Sequence, residues 1–462
     1  MSSLQLVKVE ITPQESVPMM GYGDRTSWSK GIHDPLFAYI WYVKNTGDAE
    51  ARVWIVCDLC LFSIQTSTLI REDLGKVCNL SPDHIVISAT HTHSGPNVRY
   101  LGPAGVPWEQ RYYSLLISRL GQGIAEAGKT AFEGSLQVRK AEIHIGVNRR
   151  GSHLPADSRV ILFSFVDKTG KGRAHMFHYS SHLTALGVDN YLISSDWVGP
   201  LRDALETDLK VPFGFIQGAE GNIDPYCRGL LFMDDPDQAV GVSFDEMTKM
   251  ALTAVEPLKK ALDSPLIATL DSLCTKSAVA RLPMRFGALE GAEVEKRIAH
   301  WKTEFAEFLE VPVSEVPEDY QINALIKEKC RKDGITGQTV LNWVSKQFTY
   351  CAFINLYRKD TQYAKPSQGV IIMPVLLWDF GKLFIYGIPA EVLIENAFHL
   401  QKRWPNDIAL VGGLANGWSG YLPNADNFAE TNQSQLYETV STMYAEHAAD
   451  VLLDMVKEVR GC

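Results

Sequence analysis

The segment Ile85-Val86-Ile87-Ser88-Ala89-Thr90-His91-Thr92-His93-Ser94-Gly95-Pro96 runs a β-branched apolar stretch into a His-x-His pair and then a Gly-Pro turn. His84 to Ala89 reads as a short buried strand. Residues two apart in an extended chain share a face, so His91 and His93 are expected to project together from the end of that strand. Neutral imidazole is the commonest metal ligand and titrates nearest pH 7, so the pair can supply a ligand and a general acid/base side by side. Two histidines satisfied by hydrogen bonds and doing no chemistry fit the same spacing.

Outward from this segment, apolar runs recur, among them Leu36–Val43, Arg52–Phe62, Val160–Val166, Ala174–Tyr179, Phe213–Gln217, Val370–Trp378, Lys382–Tyr386 and Ile408–Gly412. Helical patterns over Gln110–Phe132, Trp197–Leu209 and Phe244–Ala261 alternate with them. Such alternation predicts an α/β (α+β) fold, a large single body of mixed β-sheets flanked by helices. One domain is expected over 1–462, with a charge-rich helical insertion at about 289–355 whose charges form a solvated face. A final helix is expected from about Gln433 to Val459.

Composition narrows the function classes. The 462 residues carry a net charge of −10, with a pI near 5.7 and no Lys/Arg cluster, which excludes a nucleic-acid partner. No run approaches the roughly 18 apolar residues of a membrane span. The opening MSSLQLVKVEITPQESVP is neither basic nor long and apolar, so no signal peptide is read and a cytoplasmic location is expected. The partner is expected to be a small-molecule substrate; no feature specifies an oligomeric state. Eight cysteines are too few for a disulfide framework at this length. Cys57 and Cys60 fall three apart in one strand-like run, on opposite faces, and read as inert core thiols. Cys462 is expected to fray.

Further polar clusters sit at the ends of apolar runs. They are His178-Tyr-Ser-Ser-His182-Leu-Thr184 with Ser195-Asp196, the Gly-rich turn Gln217-Gly-Ala-Glu-Gly-Asn222-Ile-Asp224-Pro225, Pro389-Ala-Glu391 at an expected helix start, and Asn416-Gly-Trp418-Ser-Gly-Tyr421. The His178/His182 spacing of four lacks the His-Glu-x-x-His pattern, so no zincin is implied.

In order and wording these blocks resemble the neutral/alkaline (non-lysosomal) ceramidases and their bacterial relatives. Met19-Met20-Gly21-Tyr22, Thr90 to Pro96, Asn148-Arg149, His182 to Thr184, Ile193 to Asp196, Pro389 to Glu391, Asn416 to Tyr421 and Tyr437 to Thr442 match the family's motifs collinearly. The resemblance implies a ceramidase-like catalytic domain with one Zn²⁺ held by His91, His182, Glu391 and Tyr421. It gives His93 the proton relay, and gives Arg149, Tyr437 and the Gly21 N–H the binding of substrate or developing negative charge, with Trp418 beside them.

Three departures qualify that expectation. The family's Gly-Asp-x-Ser-Pro reads Gly221-Asn222-Ile223-Asp224-Pro225, so a serine acyl-enzyme route is not expected and Asp224 becomes a candidate for orienting water, His93 or a polar substrate. Trp418 stands where the family has the first tyrosine of Asn-x-Tyr-x-x-Tyr. The resemblance reaches only the N-terminal catalytic part of the family and not its immunoglobulin-like C-terminal domain. The expected activity is therefore zinc-dependent hydrolysis of an amide (N-acyl) bond by attack of metal-bound water, on a substrate other than ceramide. An esterase or lactonase acting on a small polar substrate is the alternative, and a non-catalytic metal-binding relative the second.

Overall fold

The computed structural model describes residues 2–23, 25, 27–151, 153–229, 241–429 and 437–461. The chain packs as two compact units, one of Met1–Leu230, Ala239–Ser277 and Val375–Ser419, the other of Leu231–Gln238, Ala278–Pro374 and Gly420–Cys462.

The first unit is built on a nine-stranded mixed sheet. Its strands are β1 (Ser2–Glu10), β2 (Phe37–Asn45), β3 (Arg52–Cys57), β4 (Ile85–Ala89), β5 (Phe132–Glu142), β6 (Arg159–Asp167), β7 (Gly172–Tyr179), β8 (Phe213–Gln217) and β9 (Ala268–Leu270). They lie in the order β8-β7-β6-β5-β1-β2-β3-β4, with β9 paired to β5. The pairs β3/β4 and β7/β8 are parallel; β1/β2, β2/β3 and β6/β7 are antiparallel.

The apolar runs are nearly continuous because this sheet is covered on both faces. Along β2 and β3, Ala38, Ile40, Val53 and Ile55 join one core with helices α1 (Ile64–Cys78) and α2 (Pro107–Thr130). Tyr39, Trp41, Trp54 and Val56 alternate into a second core. There a smaller sheet packs, in which residues 376–379 of β10 (Val370–Asp379) pair antiparallel with β11 (Leu383–Gly387), itself parallel to β12 (Ile408–Gly412). Trp41 meets Trp378 and Phe380 at ring-centroid distances of 5.2 and 5.7 Å, and Trp54 meets Trp378 at 5.3 Å. Beyond β6 to β8 a third core takes in α3 (Val198–Leu209), α4 (Phe244–Leu252) and α5 (Val255–Leu262). The fold is the mixed α/β class expected from the sequence.

Within the second unit, α6 (Ala292–Leu309), α7 (Gln321–Asp333) and α8 (Gln338–Tyr357) occupy the segment with the charged helical rhythm. Their contact is aromatic, with Trp301 5.0 Å from Phe353 and Phe353 stacked on Tyr357 at 4.4 Å.

Several local expectations give way. The run Arg52–Phe62 leaves the strand after Cys57, because Asp58 turns inward to pair with Arg202 of α3 at 3.0 and 2.6 Å. Phe244–Ala261 is two helices, broken at Thr253-Ala254; Pro257, which has no N–H to give, then falls in the first turn of α5 where none is needed. The final helix is also interrupted. It runs Tyr437–Ser441 and then Ala448–Arg460, with Thr442 donating to the Tyr421 carbonyl at 2.8 Å in between. Its expected start at Gln433, and Cys462, lie outside the described residues. Among the described residues no helix is long and apolar enough to cross a membrane.

Candidate metal centre

The site residues of the first unit follow the carboxyl ends of strands, where ligands of α/β sheets are generally bound. Thr90 to His93 follow β4, His182 follows β7, Gly218 to Asp224 follow β8, Glu391 follows β11 and Trp418 follows β12. Gln217 ties two of these segments together: its amide nitrogen donates to the carbonyls of Thr90 (2.9 Å) and Ser181 (2.8 Å), the residues just before His91 and His182. His93 N–H bonds to the Leu183 carbonyl at 3.2 Å.

The His-x-His segment is not extended as its sequence predicts. β4 ends at Ala89 and His91 adopts φ +73°, a left-handed conformation uncommon outside glycine. The turn, rather than strand alternation, brings the two rings together, with the Nε2 atoms 3.3 Å apart.

His91, His182 and Glu391 converge, their ligand atoms all within 4.8 Å of one another and all three residues buried. Glu391 Oε2 lies 3.3 Å from His91 Nε2 and 3.3 Å from His182 Nε2. Ligands about 2.0–2.1 Å from a tetrahedral zinc stand about 3.3–3.4 Å from one another, so both distances from Glu391 Oε2 match edges of such a site. Both histidines are fixed in the tautomer that leaves Nε2 as a donor to metal. His91 Nδ1–H donates to the Cys60 carbonyl at 2.8 Å, and His182 Nδ1–H to the carbonyls of Glu220 (2.8 Å) and Ile223 (3.1 Å). A backbone carbonyl behind each ring is the usual support of a metal-bound histidine. Two imidazoles and a carboxylate are donors that suit Zn²⁺. Burial opposes the charge of Glu391, but the charges of His91 and His182 and their hydrogen bonds hold its carboxyl well below the usual range. Burial pushes His182 below its ordinary value, whereas Cys60 and Glu391 outweigh burial at His91 and raise it.

His93 is built differently. Its Nδ1 is buried with no hydrogen-bond partner, so its tautomer is not locked. Burial, then the charges of His91 and His182, push it well below its ordinary value, which favours the neutral ring. The Tyr22 ring meets it edge-on at 4.9 Å, and Arg25 Nη1 donates to its carbonyl at 2.5 Å. Gly21, exposed and at φ +109°, approaches so closely that a Cβ there would stand 2.3 Å from the His93 ring. Glycine is required at that position.

Arg149 and Asp224 form a buried pair at 3.2 Å, and Arg149 Nη2 donates to the Gly221 carbonyl at 2.8 Å. Asp224 also lies 3.6 Å from His182 Nδ1. Trp418 Nε1–H donates to Glu391 Oε1 at 2.7 Å. His178 does not pair with His182; it lies on β7 and meets the Val411 carbonyl at 2.7 Å. Glu391 lies in a short extended segment, Glu391–Val392, rather than at a helix start. Tyr421 and Tyr437 are carried by the second unit, where their rings lie 5.1 Å apart.

Sequence reading missed the supporting residues. The spacing marks Cys60 only as an inert core thiol, yet its carbonyl anchors His91 and its Sγ stands 3.7 Å from the same nitrogen. Glu220 is fully buried, neither carboxyl oxygen has a hydrogen-bond partner, and burial pushes it up to about 8. The Gly-rich turn after β8 was the only signal for Gln217 and Glu220. The Met19–Tyr22 motif is the one sequence signal for Tyr22, and nothing but proximity in the fold marks Arg25 as a neighbour of His93.

Residues 7–229 match the family described as neutral/alkaline non-lysosomal ceramidase, N-terminal. The neutral ceramidase of Pseudomonas aeruginosa is 22% identical over 95% of this chain and 68% of its own length. Neutral ceramidase A of Dictyostelium discoideum is 21% identical over 94% of this chain and 69% of its own. The crystal structure of the Pseudomonas neutral ceramidase superposes with a TM-score of 0.69 at 18% identity, covering 99% of this chain and 74% of that one. Over residues 7–229 the chain thus resembles the N-terminal part of the neutral/alkaline non-lysosomal ceramidases, and over nearly its whole length it shares the fold of the Pseudomonas neutral ceramidase.

Proposed function

We propose that this protein is a zinc-dependent hydrolase that cleaves an N-acyl amide bond. The observation that carries the reading is the buried trio of His91, His182 and Glu391, with Glu391 Oε2 at tetrahedral-edge distance from both Nε2 atoms and both imidazoles locked from behind. Tyr421 as fourth ligand and Tyr437 as a substrate-binding group belong to the proposal by family resemblance alone. When bound, zinc supplies an acidified water and polarises the scissile carbonyl.

The chain's own residues supply the rest. His93, neutral and unlocked, takes the proton of the attacking water and returns it to the leaving nitrogen as the C–N bond breaks, giving a carboxylic acid and an amine. The Gly21 N–H and the Arg149 guanidinium are the proposed donors to the developing oxyanion. Asp224 keeps Arg149 in place. The relatives' names make ceramide the first substrate to try, whereas Asp224 and Trp418 at two motif positions favour other N-acyl amides.

The test is metal analysis of the wild-type chain beside His91→Ala and Glu391→Ala, coupled to turnover of ceramide, simpler N-acyl amides, esters and lactones. About one zinc per chain, lost together with amide cleavage in both variants, is the expected result. Wild-type protein without tightly held zinc refutes the metal assignment, and turnover of esters or lactones alone refutes the bond type.

A further inference from the structure

We propose that Trp418 is a positioning residue that confines Glu391 to a single-oxygen metal contact; the proposal rests on the zinc reading above. A carboxylate can ligate zinc through one oxygen or two. Here the two oxygens of Glu391 have separate tasks: Oε2 faces the two Nε2 atoms at 3.3 Å, and Oε1 accepts the indole N–H at 2.7 Å. Indole nitrogen can only donate, so this contact cannot invert. A carboxylate held at its outer oxygen keeps its inner oxygen on the metal and cannot easily rotate to chelate.

The indole is itself anchored at both ends of its loop. Asn416 bonds reciprocally with Ile87 of β4, its N–H to the Ile87 carbonyl at 2.7 Å and its Oδ1 from the Ile87 N–H at 3.0 Å. Ser419 Oγ donates to the Pro389 carbonyl at 2.5 Å, two residues before Glu391. Trp418 is thus fastened to the strand that leads to His91 and to the segment that carries Glu391. Its ring packs against Cys60, Leu61, Ala89 and Leu414. The Arg99 guanidinium lies 4.4 Å from the ring centroid, where a cation withdraws ring electron density and strengthens the N–H as a donor. The tyrosine that the family's motif places here can also donate to a carboxylate, but from a hydroxyl that stands farther from its Cα than the indole nitrogen does. The indole is this chain's own solution.

The experiment compares full-length wild type, Trp418→Phe and Trp418→Tyr by zinc competition against a chromophoric chelator and by the visible spectrum of the Co²⁺-substituted protein. Phe removes the donor and Tyr restores one. Zinc binding weakened about 10–100-fold in Phe, partly recovered in Tyr, with a weaker d–d absorption in the Phe protein as Glu391 takes up two-oxygen binding, is expected. Equal zinc affinity and an unchanged Co²⁺ spectrum in Phe overturn the proposal while leaving the zinc reading intact. Absence of zinc from the wild type overturns both. Should the Phe chain not fold, solvent exchange of the wild-type Trp418 indole proton decides: strong protection is expected, and exchange at the rate of an exposed indole overturns the role.

Discussion

His91 and His93 present their Nε2 atoms to each other at 3.3 Å, but only His91 has its other nitrogen bound to a carbonyl. The asymmetry separates a ligand from a proton carrier. His93→Ala should keep its zinc and lose about 10²–10⁴-fold in kcat, whereas His91→Ala should lose both. Zinc content measured beside kcat distinguishes them; loss of zinc in His93→Ala would make that ring a ligand instead.

The bridging amide of Gln217 gives a second expectation. Replacing it with leucine releases the carbonyls of Thr90 and Ser181 together, so the two ligand segments lose their shared clamp. Zinc affinity is expected to fall about 10–100-fold, as for other supports behind metal ligands. Isothermal titration of the metal-free protein checks it, and unchanged affinity would show that the strands alone fix the spacing.

Asp58 and Arg202 are buried and bidentate, and they set the bend that delivers the Cys60 carbonyl to His91. Removing one partner strands a charge, so Arg202→Met should destabilise the fold by about 3–5 kcal/mol. Urea denaturation of the single variant and of Asp58→Leu/Arg202→Met measures this, the double variant regaining most of the loss.

Glu220 predicts a pH signature in the metal-free chain. Its folded pKa, pushed up to about 8, exceeds the ordinary value of 4.5, so the native state keeps a proton that the unfolded state releases. Stability therefore falls as pH rises from about 4.5 to about 8. Glu220→Gln should flatten that fall, its advantage over wild type growing across the window to roughly 3–5 kcal/mol. Parallel stability curves for the two proteins would show that Glu220 finds a partner when ionised.

Much of this arrangement is legible in the sequence because strand ends announce themselves. Apolar runs closing on Thr90-His91, Ser181-His182 and Gln217-Gly218 mark where polar groups emerge from a doubly covered sheet, and Ala38/Ile40 against Tyr39/Trp41 shows the alternation that fixes its faces. The illegible part is what depends on partners distant in sequence. Cys60 gains its importance only because Asp58 is drawn to Arg202, 144 residues away. Trp418 gains its own only because Glu391 lies across the site, 27 residues before it. The break before Val255 differs from these, since Pro257 inside the helical pattern is a signal the sequence itself carries.

The backbone of the site carries one further consequence. Of the non-glycine residues with positive φ, Asn79, Lys210 and Glu310 simply end helices, while His91, Asp196, Leu414 and Asn416 lie on or beside the loops just described. Such conformations cost of order 1–3 kcal/mol each, least for Asn and Asp. Glycine would relieve the cost, and a chain selected for stability alone would drift toward it at His91 and Leu414. Those two positions are therefore a sequence marker of use: among proteins that share this site, those that have abandoned turnover should be the ones in which the tension has been allowed to relax.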